Sequence, residues 1–266
     1  MKTLIRLLLP AFVLMASFNS YSADKVDIWF APSWKAKPKI AQDITASLSE
    51  SSGIEMRPRI AKSYPQIFEA FSGDKPCLVF AGSFAQAIIR ARGLGNMIIQ
   101  AVNGKEYYSG VLVYPKGQDP VAILKNSPEK VAYAMGSSSG ESSAKAATSG
   151  KASIATKSHT ATVGAVRSSK AAAGVVKNWW WEANKSKYPQ LEMYVIPGVS
   201  EQKNPDYVLS VSTEVPVSDV IKLVSAAKEA KEVFAAKEMV DFENSSLDFS
   251  LKLMDKGNID PKSYTW

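Results

Sequence analysis

The chain has 266 residues, of which 46% are hydrophobic, and its formal net charge at pH 7 is +7. It holds one histidine and one cysteine, which are too few ligands for most zinc sites. The cysteine, Cys77, lies in the apolar run 77–81 and is expected to be an inert strand residue without a disulfide. The mild positive excess favours small anionic ligands or an anionic surface over specific DNA binding, although a basic solvated face would explain it equally well.

Residues 1–22 have the composition of a secretory signal. Lys2 and Arg6 supply the positive end, an apolar run reaches residue 15, and Ser20 and Ser22 precede a cleavage expected before Ala23. The apolar run is too short for a membrane span. We therefore expect an exported, soluble protein, whose formal charge falls from +7 to +5 when both basic residues are removed.

The first third of the chain alternates strand and helix patterns. Strands are predicted over 26–31, 54–60 and 77–81, and helices over 37–49, from Ser63-Tyr64-Pro65 with Ser63 as the N-cap, and from Gly82-Ser83 through Arg92. Such alternation predicts an α/β fold with a mainly parallel sheet.

The β-rich run 107–114 predicts a crossing into a second lobe. Strands are expected at 131–135, 154–156, 172–177 and 191–196, with a helix from about 160 to 169. Residues 207–212 would form the return crossing, and helices follow from Ser218, with Met239 on their packing face. We thus predict a two-lobed α/β protein made of residues 23–106, 107–206 and 207–266, with a ligand cleft where strand ends of the two lobes face each other.

The segment 136–140, Gly-Ser-Ser-Ser-Gly, ends one predicted strand and leads into a helix; we name it the serine turn. Its hydroxyls and unpaired N–H groups suit an oxyanion, because a helix N-terminus favours negative charge. The only histidine, His159, follows another strand end and would add a donor of adjustable charge. An ordinary helix cap and a structural histidine are the competing interpretations.

Two further patterns leave alternatives open. Tyr107 and Ser109 share one face of their predicted strand, while Tyr108 lies on the other. The side chains of Tyr107 and Ser109 would either line the cleft or pack inside the protein. Ser142 and Lys145 match the S-x-x-K pattern of penicillin-recognising hydrolases, but the S-D-N and K-T-G partner motifs are missing.

The whole mature chain resembles the periplasmic phosphonate-binding proteins of ABC importers. The likeness rests on four segments in the same order along the chain. They are 26–32; 63–64 through 77–83; 107–109 leading into Val113 and Lys116; and 137–140 followed by 158–160 and 173–178.

This resemblance implies a type II periplasmic-binding fold whose hinge closes on a phosphonate, a phosphite or a related oxyanion. The implied ligand-binding residues are Ser137, Ser138, Ser139 and His159 in one lobe and Tyr107 and Tyr64 in the other, with Trp34, Tyr64 and Asn178 meeting the ligand's substituent. We expect a periplasmic monomer that delivers its ligand to an inner-membrane permease, with no cofactor, metal, nucleic acid or chemical step. The alternatives are a ligand-sensing partner of a membrane receptor and, less favoured, a Ser–Lys hydrolase.

Overall fold

The structure, a computed structural model, describes residues 25–266, so the expected signal segment and its cleavage site lie outside the described residues. Strands and helices alternate along most of this length. The strands are β1 (Val26–Phe30), β2 (Met56–Ile60), β3 (Cys77–Ala81), β4 (Gly95–Val102), β5 (Tyr107–Tyr108), β6 (Gly110–Pro115), β7 (Val131–Ala134), β8 (Ile154–Thr156), β9 (Ala173–Lys177), β10 (Leu191–Tyr194), β11 (Asn204–Pro205), β12 (Val208–Ser212) and β13 (Glu238–Asp241). The α-helices are α1 (Pro38–Ser52), α2 (Tyr64–Phe71), α3 (Ser83–Ala91), α4 (Pro120–Asn126), α5 (Ser143–Ala147), α6 (His159–Arg167), α7 (Asn178–Asn184), α8 (Val217–Glu229) and α9 (Asp248–Lys256).

Two separate sheets form the centres of two lobes, which confirms the predicted α/β architecture. The first sheet has the order β13-β4-β12-β3-β1-β2 and the second the order β10-β6-β9-β7-β8. Within each sheet three neighbouring strands are parallel, β2-β1-β3 and β9-β7-β8, while the remaining pairs are antiparallel. Both sheets are therefore mixed and not mainly parallel. Ser83, the serine turn, His159 and Asn178 follow the ends of the parallel strands β3, β7, β8 and β9, respectively.

The crossing between the sheets is more elaborate than the single strand predicted over 107–114. The run is interrupted at Ser109, which separates the short β5 from β6. β5 pairs with β11 on the returning chain, with Tyr108 opposite Asn204, so the two crossings form a two-stranded ladder. Asn178 holds Ser109 in place by two hydrogen bonds. Its side-chain Oδ1 accepts the Ser109 N–H at 3.1 Å, and its backbone N–H donates to the Ser109 carbonyl at 3.0 Å.

Apolar side chains cover both faces of each sheet. Phe30 and Leu48 belong to the cluster on one face of the first sheet, and Phe71 and Phe84 to the cluster on the other face. Helix α9 is shared, because Leu253 packs into a cluster of the second sheet and the adjacent Met254 into one of the first. Helix α9 therefore contributes to the cores of both lobes. The boundaries 23–106, 107–206 and 207–266 remain our proposal for the division of the chain between the lobes.

Two elements differ from the prediction for a physical reason. Strand β4 was not predicted, because its apolar run is only Met97–Ile99, between the polar residues Asn96 and Gln100. Met239 lies in the edge strand β13 and not in a helix. It is the one buried residue of this strand, and a single buried residue does not reveal the two-residue period of a strand.

Of the helices between residues 25 and 266, none combines the length and the hydropathy that a membrane span requires.

Candidate functional site

The serine turn connects β7 to a helical run that comprises a π-type turn over 138–142 and then α5. Gly136 has a φ of +71°, a conformation that glycine adopts without steric cost. The Ser137 hydroxyl donates to the Ala134 carbonyl at 2.9 Å and accepts the Gly140 N–H at 3.1 Å. Ser137 is thus the N-cap of the run, and its hydroxyl is engaged within the turn.

Ser138 is fully buried and bonds across to the other lobe. The Ser83 hydroxyl, at the start of α3, donates to Ser138 Oγ at 2.9 Å, and the Tyr108 hydroxyl lies 2.7 Å from Ser83 Oγ. A hydroxyl has one hydrogen, so Ser83 must accept from Tyr108. The hydroxyls thus form a series of hydrogen bonds in which Tyr108 donates to Ser83 and Ser83 donates to Ser138. The Ser138 hydroxyl hydrogen, at the end of this series, remains available to another acceptor. The sequence placed Ser83 at a strand end, but Ser83 and Tyr108 were not among the predicted site residues.

Ser139 is also buried, and within residues 25–266 its hydroxyl has no hydrogen-bond partner. It follows Ser138 at the beginning of the helical run, where the first backbone N–H groups have no intrahelical acceptor. Two adjacent serines therefore offer hydroxyl hydrogens and main-chain donors at one place.

Glu141 is a buried acid that the sequence interpretation did not assign. Its Oε2 accepts the Gly136 N–H at 2.8 Å, and both carboxylate oxygens accept from the Tyr264 hydroxyl at 2.9 and 3.0 Å. Lys145 lies 3.4 Å from the same carboxylate and balances its charge. Glu141 therefore fixes the shape of the serine turn and removes Gly136 from the set of available donors.

The S-x-x-K pattern does not form a nucleophile and base. Ser142 is fully buried and its Oγ has no hydrogen-bond partner in the described chain. Lys145, instead of contacting Ser142, pairs with Glu141 and lies over the Tyr133 ring. A Ser–Lys hydrolase needs a hydrogen bond between the two side chains, which this arrangement lacks.

His159 is the first residue of α6, which begins where Ser158 Oγ accepts the Ala161 N–H at 3.2 Å. Its Nδ1 is shielded from solvent and has no partner among residues 25–266. Burial, and secondarily the positive charge of Lys177, lowers the pKa of His159 from 6.5 to about 4. The imidazole is therefore neutral at pH 7. It can donate a hydrogen bond to an anion, but it carries no positive charge that would attract one.

Lys177 supplies the positive charge near His159. It is the last residue of β9, and its Nζ lies 2.7 Å from Asp206 Oδ1. Both side chains are largely buried, with 19% and 25% exposure. The predicted ligand-binding residue Asn178 is the next in sequence, but its side-chain oxygen is bonded to the Ser109 N–H in the crossing.

Tyr64, from α2 in the first lobe, reaches the serine turn together with Trp266. The two rings stack at 4.3 Å between centroids, and a methyl group built on Gly136 would lie 2.1 Å from Trp266 Cζ3 and 3.2 Å from Tyr64 Cε2. Burial raises the pKa of Tyr64, so its phenol stays protonated. Trp266 is thus a contact of the serine turn that sequence patterns did not reveal.

Two predicted site residues lie elsewhere. Trp34 is in the first lobe's aromatic core, with its ring 4.9 Å from Phe30 and 5.7 Å from Phe80. Tyr107 lines a surface cavity of about 390 Å³ beside Phe249 and Lys252, while Tyr108 on the opposite face of β5 reaches Ser83. The strand alternation was correct, but the face turned towards the serine turn is that of Tyr108. Residues 25–266 contain no cluster of three or more His, Cys, Asp and Glu side chains placed to hold a metal ion.

Residues 38–243 match the family model described as the periplasmic substrate-binding protein of phosphonate ABC transporters. The chain belongs to this family. Its role is accordingly that of the substrate-binding component of a phosphonate importer, as the resemblance implied. None of the curated protein sequences matches the chain significantly.

Solved structures support the type II periplasmic-binding fold of this phosphonate-binding family member. The PhnD1 protein of Prochlorococcus marinus, in complex with methylphosphonate, has a TM-score of 0.66 and 19% identity, over 88% of this chain and 98% of that one. A Xanthomonas citri protein bound to ATP has a TM-score of 0.66 and 14% identity, over 88% and 96% of the two chains. A binding component of a Pseudomonas aeruginosa phosphonate transporter has a TM-score of 0.59 and 16% identity, over 88% of each chain. At these identities the likeness establishes the fold.

Proposed function

We propose that the two lobes close on one small oxyanion, a phosphonate or phosphite, and hold it at Ser138, Ser139 and His159 for transfer to an inner-membrane permease. The single observation that carries this proposal is the hydrogen-bond series from Tyr108 through Ser83 to Ser138. That series ends on a buried hydroxyl whose hydrogen still requires an acceptor.

The donor groups suit an oxyanion in number and kind. Ser138 and Ser139 supply hydroxyls and the first N–H groups of a helical run, and His159 Nδ1 is a buried, unpartnered nitrogen at the start of α6. The N-termini of both helical segments carry partial positive charge, so each would stabilise an anion bound between them. Hydrogen bonds to a charged acceptor contribute about 1.5–3 kcal/mol each, which makes three or four of them sufficient for tight capture.

The same series couples binding to closure of the lobes. Ser83 belongs to the first lobe, Tyr108 to the crossing and Ser138 to the second lobe, so the 2.9 Å contact between Ser83 and Ser138 requires the two lobes to meet. An oxyanion that accepts from Ser138 polarises the series and favours the closed arrangement. We propose that the closed monomer is the form the permease recognises, and that no chemical step takes place.

The choice of anion is supported by the family and by one neighbour. Methylphosphonate is the ligand in the Prochlorococcus marinus structure, and it carries the three oxygens that the donors here would share. Methylphosphonate and phosphite are therefore the first ligands to be tested.

Isothermal titration calorimetry of the chain lacking residues 1–22 tests this proposal. We expect one site per chain for methylphosphonate or phosphite, and at least tenfold weaker binding in Ser138→Ala and Ser139→Ala. Ser168→Ala is the matched control, because Ser168 is exposed near the end of α6 and bonds only within its own turn. The proposal is wrong if neither anion binds, or if both serine variants bind as tightly as the control.

A further inference from the structure

Lys177, which the proposed oxyanion contacts do not use, lies in a cage of the kind that recognises organic ammonium groups. Its Nζ is 4.3 Å from the centroid of the Tyr108 ring and 4.4 Å from that of Trp179. The two rings meet edge to face, with centroids 5.9 Å apart, and Asp206 Oδ1 completes the enclosure at 2.7 Å from Nζ. Two aromatic faces and one carboxylate stabilise a cation by quadrupole attraction and by a charge-assisted hydrogen bond.

This cage adjoins the proposed oxyanion site. Tyr108 forms one wall of the cage with its ring, and its hydroxyl starts the series that ends on Ser138. His159 packs against Trp180, the residue next to the cage residue Trp179, with ring centroids 5.9 Å apart, so the other proposed oxyanion donor also lies beside the cage. A ligand bound at Ser138 and His159 would therefore direct a short substituent towards the cage.

We propose that Lys177 is a specificity-determining residue: its ammonium fills the cage of Asp206, Tyr108 and Trp179 and so excludes ligands that carry their own ammonium group. This inference rests on the proposed function and narrows its substrate class. The protein would take oxyanions with small uncharged substituents, such as alkylphosphonates or phosphite, and reject aminoalkylphosphonates. An incoming ammonium would have to displace Lys177 from Asp206 or be held beside a like charge in a poorly solvated place.

The test uses two ligands of nearly equal shape that differ in charge, n-propylphosphonate and 2-aminoethylphosphonate. Calorimetry gives the ratio of their dissociation constants, which cancels any general effect of a variant on the oxyanion contacts. We expect the wild-type chain to bind the propyl ligand at least tenfold more tightly. In Lys177→Ala, which empties the cage and leaves Asp206 unpaired, we expect the preference to reverse in favour of the amine.

Two further variants identify the cause of the reversal. Lys170→Ala removes the same charge from an exposed position shortly before β9 and should keep the wild-type ratio. Adding Asp206→Asn to Lys177→Ala removes the carboxylate that would receive the amine, so the preference for the amine should disappear.

The outcomes separate this inference from the function on which it rests. If the wild-type chain binds both ligands with equal affinity, the inference is wrong while the proposed function stands. This comparison uses the wild-type protein alone, so it does not depend on whether a variant folds. A folded Lys177→Ala chain that keeps the wild-type ratio also overturns it. If the wild-type chain binds neither these ligands nor methylphosphonate nor phosphite, the proposed function itself has failed.

Discussion

Replacing His159 by glutamine should remove a defined part of the protein's sensitivity to acid. Burial and the neighbouring Lys177 charge hold the pKa of the folded-state imidazole at about 4, against 6.5 for an unperturbed histidine. Between these two values the unfolded chain takes up a proton that the folded chain does not. Stability must therefore fall as the pH drops below 6.5, and this fall ends near pH 4.

The size of the effect follows from the difference between the two pKa values. At about 1.4 kcal/mol per pH unit, the full contribution is about 3 kcal/mol, and about 2 kcal/mol of it is lost between pH 7 and pH 5. Glutamine does not titrate, so the variant's free energy of unfolding should fall by about 2 kcal/mol less over that interval.

Urea unfolding at pH 7 and pH 5 measures this difference directly, with wild type and His159→Gln compared in untagged form. The chain has one histidine, so no other imidazole contributes to the comparison. Equal losses of stability in the two proteins would refute the reasoning. So would an imidazole proton resonance in the folded protein that titrates near pH 6.5.

Three other changes test the surroundings of the serine turn. Gly136→Ala places a methyl group against the Trp266 ring at a φ of +71°, and should lower the free energy of unfolding by about 1–3 kcal/mol in urea titrations; an unchanged value would contradict the packing described. Tyr264→Phe removes the phenol that donates to the buried Glu141 carboxylate and should cost about 1.5–3 kcal/mol, whereas Tyr194→Phe, whose hydroxyl bonds to nothing within residues 25–266, should cost less than about 0.5 kcal/mol. Tyr108→Phe removes the first donor of the series and should weaken methylphosphonate binding about 2- to 10-fold by calorimetry; unaltered affinity would show that the series does not support the ligand.

Local sequence signals were sufficient to predict where the serine turn and His159 lie relative to the strands and helices. The serine turn and His159 each follow a strand and begin a helix, as predicted, because strand ends, small residues and helix starts are encoded within a few residues. The two-lobed organisation was also predictable, since the strand–helix alternation stops at the crossings and then resumes.

Contacts between the lobes were not predictable in the same way. Ser83 and Ser138 are 55 residues apart, and nothing in either segment indicates that their hydroxyls meet. Alternation placed Tyr107 and Tyr108 on opposite faces, but the face nearer the serine turn depends on how β5 pairs with β11. Lys177 could be located at a strand end, yet its cage requires Asp206 from the returning chain.

The measurement that tests the central claim most directly is an NMR titration of the single imidazole with methylphosphonate. An oxyanion held at Ser138 and His159 stabilises the protonated ring, so the pKa of His159 should rise from about 4 in the free protein on saturation with the ligand. The ring resonances should shift in proportion to the bound fraction measured by calorimetry. If methylphosphonate binds and the resonances and pKa of His159 do not change, the ligand is held elsewhere and the site described above is wrong.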